Sequence, residues 1–230
     1  MALRAVLADI SRVGVDEIIC LGDVATLGPA PVEVLHLLRD HQIPCILGNH
    51  DEFLLDPALI HTYTEAPVIV AAVDQCRATL GPAELLFLRS FQPSLQRTLS
   101  ATAELLLFHG SPRSHMENLL STTPADVVDQ LLDGHHCTVM AGGHTHLQML
   151  RQHRGMLLVN PGSVGIPFQE FVSGRPPTIL SHAEYAVVAS DHGTVSVNLR
   201  RVSLDKRALR AALLGWDNPL RPELLRAYAD

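Results

Sequence analysis

The chain has 230 residues, 47% of them hydrophobic, and a mean hydropathy of +0.18, which excludes intrinsic disorder and suffices for the core of one large α/β domain. Its net charge of −7 with no basic block excludes a long nucleic acid gripped by its phosphates, but not a small anionic substrate whose charge bound divalent metals would meet. No run reaches the roughly 18 uninterrupted apolar residues that a membrane-spanning helix needs. Asp9 interrupts the first apolar stretch and no small-residue cleavage site follows, so no secretory leader is expected. Cys20, Cys45, Cys76 and Cys137 lie scattered in apolar or helical patterns and read as buried thiols of a reducing cytosol, so the expected location is cytoplasmic.

From the N-terminus, Leu3, Val6, Leu7, Ile10 and Val13 recur at helical spacing over 2–13. Ile18 to Leu21 reads as a buried strand ending in Gly22-Asp23. Pro31 suits a first helical turn, with Val34, Leu35, Leu37 and Leu38 behind it. Ile43 to Leu47 is the next strand, ending in Gly48-Asn49-His50-Asp51. The stretch 56–98 is mostly helical by pattern, over 68–80 and again over 82–90. Strands follow at 105–108, 138–141, 147–152, 156–159, 185–189 and 195–202, with Arg154-Gly155 as a hairpin turn. Residues 203–230 read as one or two helices broken near Pro219. The alternation of helices and strands predicts an α/β fold with functional loops at the carboxyl ends of its strands, and with no long linker residues 1–230 are taken as one domain.

Histidines and other polar residues collect at those strand ends, while the apolar strand interiors hold none. Asp23, Gly48-Asn49-His50-Asp51, His109-Gly110 and Gly143-His144-Thr145-His146 each close a strand. In extended backbone, residues i and i+2 face the same way, so His144 and His146 can address one centre. A mixed set of imidazole, carboxylate and amide oxygen suits a borderline divalent metal such as Mn²⁺, Fe²⁺ or Zn²⁺. The remaining histidines, His115, His135, His136, His153, His182 and His192, fall in predicted loops or turns and are read as solvated. Arg200 and Arg201 are assigned to a surface strand.

In order, spacing and strand context these four segments resemble the calcineurin-like metallophosphoesterase superfamily over about residues 1–200. Asn160-Pro161-Gly162-Ser163 is similar to a segment of its small bacterial branch, the phosphodiesterases related to YfcE. The resemblance implies a β-sandwich of two mixed sheets flanked by helices, and hydrolysis of a small phosphoester, in particular a phosphodiester, by a metal-activated hydroxide. It implies two metals in the full-length form: Mn²⁺ foremost, with Fe, Zn or Ni as alternatives. Asp23 would bridge them, Asn49, His109 and His144 would complete one site, and His146 would belong to the other. Asn49 would also meet substrate. His50 would protonate the leaving group, with Asp51 placed to orient it, and Arg113 is a further candidate for a substrate phosphate.

The family's opening strand and Asp-x-His motif are not found before Asp23, since Asp9 is followed by Ile10 and Ser11 within the helical pattern. The expectation is an N-terminally truncated form with its first strand absent, one or no bound metal and impaired activity. Ile18–Leu21 would then be paired on one side only, the helix at 2–13 would be loosely anchored, and a homodimer or a rearranged N-terminal region would cover the gap. Two further readings compete: a non-catalytic scaffold of the same fold, as in a retromer subunit of this superfamily, and a zinc hydrolase of unrelated fold.

Overall fold

The computed structural model describes residues 1–172 and 175–229. Helix α1 (Ala2–Val13) buries Val6 and Ile10 along one stripe. Helix α2 (Pro31–Asp40) begins on a proline, whose missing N–H is one the first turn would leave unbonded anyway, and buries Leu35 and Leu38. Helix α3 (Asn49–Leu55), a 3-10 turn at Pro57–Leu59 and the short α4 (Ile60–Tyr63) lead to α5 (Pro67–Ala78) and α6 (Pro82–Leu88). Strands β1 (Ser94–Ser100), β2 (Ala103–Phe108), β3 (Val139–Ala141), β4 (Met149–His153) and β5 (Met156–Asn160) follow, with α7 (Ala125–Leu132) between β2 and β3. The chain closes with β6 (His182–Asp191), β7 (Thr194–Ser203), α8 (Lys206–Leu214) and α9 (Arg221–Ala227).

The main sheet is mixed, in the order β1-β2-β3-β5-β4. Strands β2, β3 and β5 run parallel, and β1 and β4 are antiparallel edges. Period-two alternation sends successive residues of β2 to opposite faces. Leu105 and Leu107 pack toward the β6–β7 ribbon, against Val188, Val197 and Leu199. Leu106 and Phe108 pack on the other face against Val128, Leu131 and Leu132 of α7. A second sheet over one face of the first, with helices outside, is the two-sheet sandwich expected, although the second sheet is an antiparallel pair of strands.

Several segments differ from the sequence reading. Residues 18–21 and 43–47 are extended but make single-residue bridges, Cys20 to Cys45 and Ile46 to Gln92, instead of regular strands. The Cys20 amide donates to Pro44 O (2.9 Å), and the Ile46 amide donates to Cys20 O (2.9 Å). Among the described residues, the backbone pairing of Ile18–Leu21 is with 43–47. The helical pattern over 56–98 ends early, because β1 occupies 94–100. Leu95 and Leu99 stand four apart and suit either helix or strand, and pairing with β2 selects strand. Helix α1 is held more firmly than anticipated. Val6 and Ile10 cluster with Ala183 and Tyr185, and the Asp9 carboxylate accepts from Tyr185 Oη (2.8 Å) and Arg200 Nη2 (3.1 Å). The ribbon thus anchors the helix from the outside. All four cysteines are free thiols. Three histidines assigned to solvent have a carboxylate oxygen at hydrogen-bond distance: His115 with Glu52 (2.8 Å), the buried His153 with Asp129 (2.7 Å) and His182 with the buried Glu184 (2.9 Å).

Candidate metal centre

The polar strand ends meet at one rim of the sandwich, and two glycines set how closely. Gly22 has φ +96°, and a Cβ there would stand 2.6 Å from Gly48 N. A Cβ on Gly48 would stand 2.1 Å from Asp23 Oδ1. Backbone meets backbone at this point, and any side chain would drive the two loops apart. Asp23 is thereby pressed onto the start of α3, where its Oδ1 accepts the His50 amide (2.9 Å).

His109 follows β2. Its Nδ1 donates to Leu21 O (2.5 Å), which fixes the tautomer and turns Nε2 toward Asp23 Oδ2 (3.2 Å) and Asn49 Oδ1 (3.2 Å). His144, after β3, brings Nδ1 to 2.9 Å from the same Asn49 oxygen. The donor atoms of Asp23, His109 and His144 lie within 4.8 Å of one another. Asn49 is fully buried and its Nδ2 has no partner. With His109 Nδ1 spent on a carbonyl, the lone pairs of a carboxylate, an amide oxygen and two imidazoles converge on one another. Such an arrangement requires a cation between them, either a proton or a metal.

The acid–base behaviour has the same origin. Burial opposes charge on His109, but the charge and hydrogen bond of Asp23 outweigh it and raise the imidazole to about 9. Asp23 is correspondingly held well below the carboxylate range, against its burial, chiefly by His109. His144 is pushed down to about 4 by burial and then by the charge of His109. The residues fit a divalent metal bound by Asp23, Asn49, His109 and His144.

His146 lies outside this cluster among the described residues. Its Nδ1 donates to Ile166 O (2.8 Å) and its ring stacks on Phe168 at 4.8 Å, which leaves Nε2 with its lone pair. His50 is nearly buried, its Nδ1 has no partner, and burial lowers its pKa. Two assignments need correction. Asp51 does not orient His50: its carboxylate accepts the amides of Asp23 (2.7 Å), Val24 (2.9 Å) and Gly48 (3.0 Å), so it caps α3 and ties both ligand loops. Burial, then the charge of Asp23, raises it to about 7 against those three amides. Arg113 is no free phosphate ligand, because its guanidinium is paired with Glu117 (Nε to Oε1, 2.9 Å).

Sequence reasoning missed two contributors and gave Asn160 no role. Asn160 Nδ2 donates to Gly143 O (2.6 Å) and Thr145 Oγ1 (3.0 Å), clasping the loop that carries both histidines. Its presence in Asn160-Pro161-Gly162-Ser163 was the available signal. Tyr63 and Phe168 stand beside His50, His144 and His146 through contacts distant in sequence, and no local pattern marks them.

Residues 1–182 match the calcineurin-like phosphoesterase superfamily domain. The chain belongs to this superfamily. It is a superfamily of divalent-metal-dependent phosphoesterases, and the reading as a zinc hydrolase of unrelated fold falls. An uncharacterized protein of Methanocaldococcus jannaschii is 28% identical over 181 residues, 72% of each chain. The crystal structure of a metallophosphoesterase from Sphaerobacter thermophilus shares the fold with a TM-score of 0.70 at 23% identity, covering 99% of this chain and 94% of that one. A hypothetical protein from Pyrococcus horikoshii OT3 superposes with a TM-score of 0.74 at 19% identity, covering 97% and 88%. Among the described residues no helix of this phosphoesterase is long and apolar enough to cross a membrane.

Proposed function

We propose that this phosphoesterase hydrolyses phosphodiesters, using Mn²⁺ held by Asp23, Asn49, His109 and His144. The observation that carries this reading is the convergence of four donor groups, with the His109 tautomer fixed by Leu21 O (2.5 Å). A divalent cation there supplies Lewis acidity to a phosphoryl oxygen and lowers the pKa of an attacking water. The protein residues do the positioning. Asp51 holds the amides that set Asp23 against Asn49, and Asn160 fixes the His144 loop from behind. To His50, one residue from Asn49, we assign the imidazole proton that the departing alkoxide would take. His146 Nε2, left with its lone pair, would be the donor for a second cation.

The test pairs Mn²⁺ titration calorimetry with hydrolysis of a dialkyl phosphate and of bis-p-nitrophenyl phosphate. Metal-dependent hydrolysis of both is expected. His50→Ala should slow the dialkyl substrate about 10²–10⁴-fold and the nitrophenyl substrate less, since nitrophenolate leaves without a proton. A wild-type protein that binds no Mn²⁺, or hydrolyses no faster than Asp23→Asn, would sink the proposal. Tight Mn²⁺ binding without hydrolysis of either diester would leave the scaffold reading.

A further inference from the structure

We infer that Tyr63 is the wall on which the leaving group lies, and that the preferred substrate is a phosphoester with a flat aromatic ring next to the scissile oxygen. The inference rests on the phosphoesterase reading above and names the substrate class of the same site. Tyr63 closes the short helix α4, whose first residue, Ile60, is fixed in the core. Its ring is backed by the buried Phe53 at 5.7 Å, so the tyrosine is held from behind while 44% of its surface stays open. A single exposed aromatic is ordinary on a protein surface. This one meets two functional histidines edge-on: His50 at 5.9 Å and 75°, and His144 at 6.3 Å and 64°.

His50 is the residue assigned to protonate the departing oxygen, and His144 is a proposed metal ligand. A ring in contact with both flanks the path of the leaving group. The neighbouring groups are closed to solvent, with Asn49 at 0%, His109 at 2%, His50 at 8% and His144 at 9% exposure, so Tyr63 offers the open apolar surface at the mouth. The guanidinium of Arg113 is engaged by Glu117 and is not a free handle. The exposed face of Tyr63 favours offset stacking with another ring.

The experiment measures affinity for phenyl phosphate and methyl phosphate on Zn²⁺-loaded protein by calorimetry, and needs no turnover. Wild type should bind phenyl phosphate about fivefold more tightly than methyl phosphate. Tyr63→Phe should keep that ratio, and Tyr63→Leu should reduce it to near one. Equal binding of the two phosphates by wild type, or a ratio that survives Tyr63→Leu, overturns the stacking inference and leaves the phosphoesterase reading standing. If neither phosphate binds the Zn²⁺-loaded protein, the stacking inference is overturned, and the Mn²⁺ and diester assays above decide the phosphoesterase reading separately. The wild-type ratio is decisive even if the leucine variant fails to fold.

Discussion

Replacing Asp51 with alanine separates the two roles this residue could have. Its buried carboxylate is the acceptor for three backbone amides: those of Asp23, Val24 and Gly48, at 2.7, 2.9 and 3.0 Å. Alanine leaves all three without an acceptor. At about 1–3 kcal/mol for each buried donor left unmet, the loss comes to about 3–9 kcal/mol before any water enters and before the relief of the burial that raises this carboxylate to about 7 is set against it. That is a large part of the roughly 5–15 kcal/mol that holds a typical domain together. Urea unfolding should show a lower midpoint with the slope retained, and Mn²⁺ affinity should fall with it, since the amides of Asp23 and Gly48 set the spacing of the ligands. Asp51→Asn keeps one acceptor oxygen and should fall between alanine and wild type. A residue that merely oriented His50 would behave differently, lowering turnover with little change in stability. An alanine variant within about 0.5 kcal/mol of wild type, with Mn²⁺ affinity intact, would refute the capping role.

Three further outcomes follow from the same geometry. Asn160→Ala removes the clasp on Gly143 O and Thr145 Oγ1 and should weaken Mn²⁺ binding about 10–100-fold in a chelator competition, as losses of supporting hydrogen bonds around metal sites do. Gly48→Ala has no unfavourable φ to contend with (−89°), yet its Cβ would overlap Asp23 Oδ1 at 2.1 Å; thermal unfolding should register about 1–3 kcal/mol of destabilisation, together with loss of metal binding. Asp129 is held at about 2 by Arg154 and then His153, below its ordinary 3.8, so its contribution to stability is complete above about pH 4 and is lost as the pH falls toward 2. Melting temperatures of Asp129→Asn and wild type should therefore differ at pH 5 and converge near pH 2.

The strand-end residues were legible because the chemistry restricts residue type. Few tasks besides metal binding call for a carboxylate, an amide and histidines after successive apolar runs, and the structure brings Asp23, Asn49, His109 and His144 to one point. The role of Asp51 was misread even though its signal was local. A glycine followed three residues later by an acid just before an apolar run is a helix-start pattern, and Gly48 and Asp51 do begin α3. Proximity to His50 in sequence made orientation of the imidazole the simpler reading. The short bridges at Cys20 and Cys45 were not legible, because an apolar run fixes extension and not how many ladder bonds its neighbours supply. Tyr63 lay beyond sequence reasoning for a third reason: its meaning comes from His144, 81 positions away, and contact at that range leaves no periodicity.

The backbone adds an argument that the rim is built for a task and not only for stability. Asp23 (φ 58°), His144 (φ 60°) and His146 (φ 58°) all occupy the left-handed region without being glycine. Aspartate and histidine tolerate that region better than most residues, yet each such residue costs roughly 1–2 kcal/mol. Glycine would relieve the strain at all three positions. Only the side chains justify retaining non-glycine residues there, and those side chains form most of the donor set. The surroundings supply what holds them: Asp51 binds the Asp23 amide, Asn160 binds Gly143 O just before His144, and Ile166 O holds the ring of His146. Each strained residue is therefore fixed by a hydrogen bond from a different part of the chain. Three of the eight non-glycine left-handed residues among the described ones stand at this rim, and distant elements hold them with their donor atoms turned toward the site, as in a preorganised site.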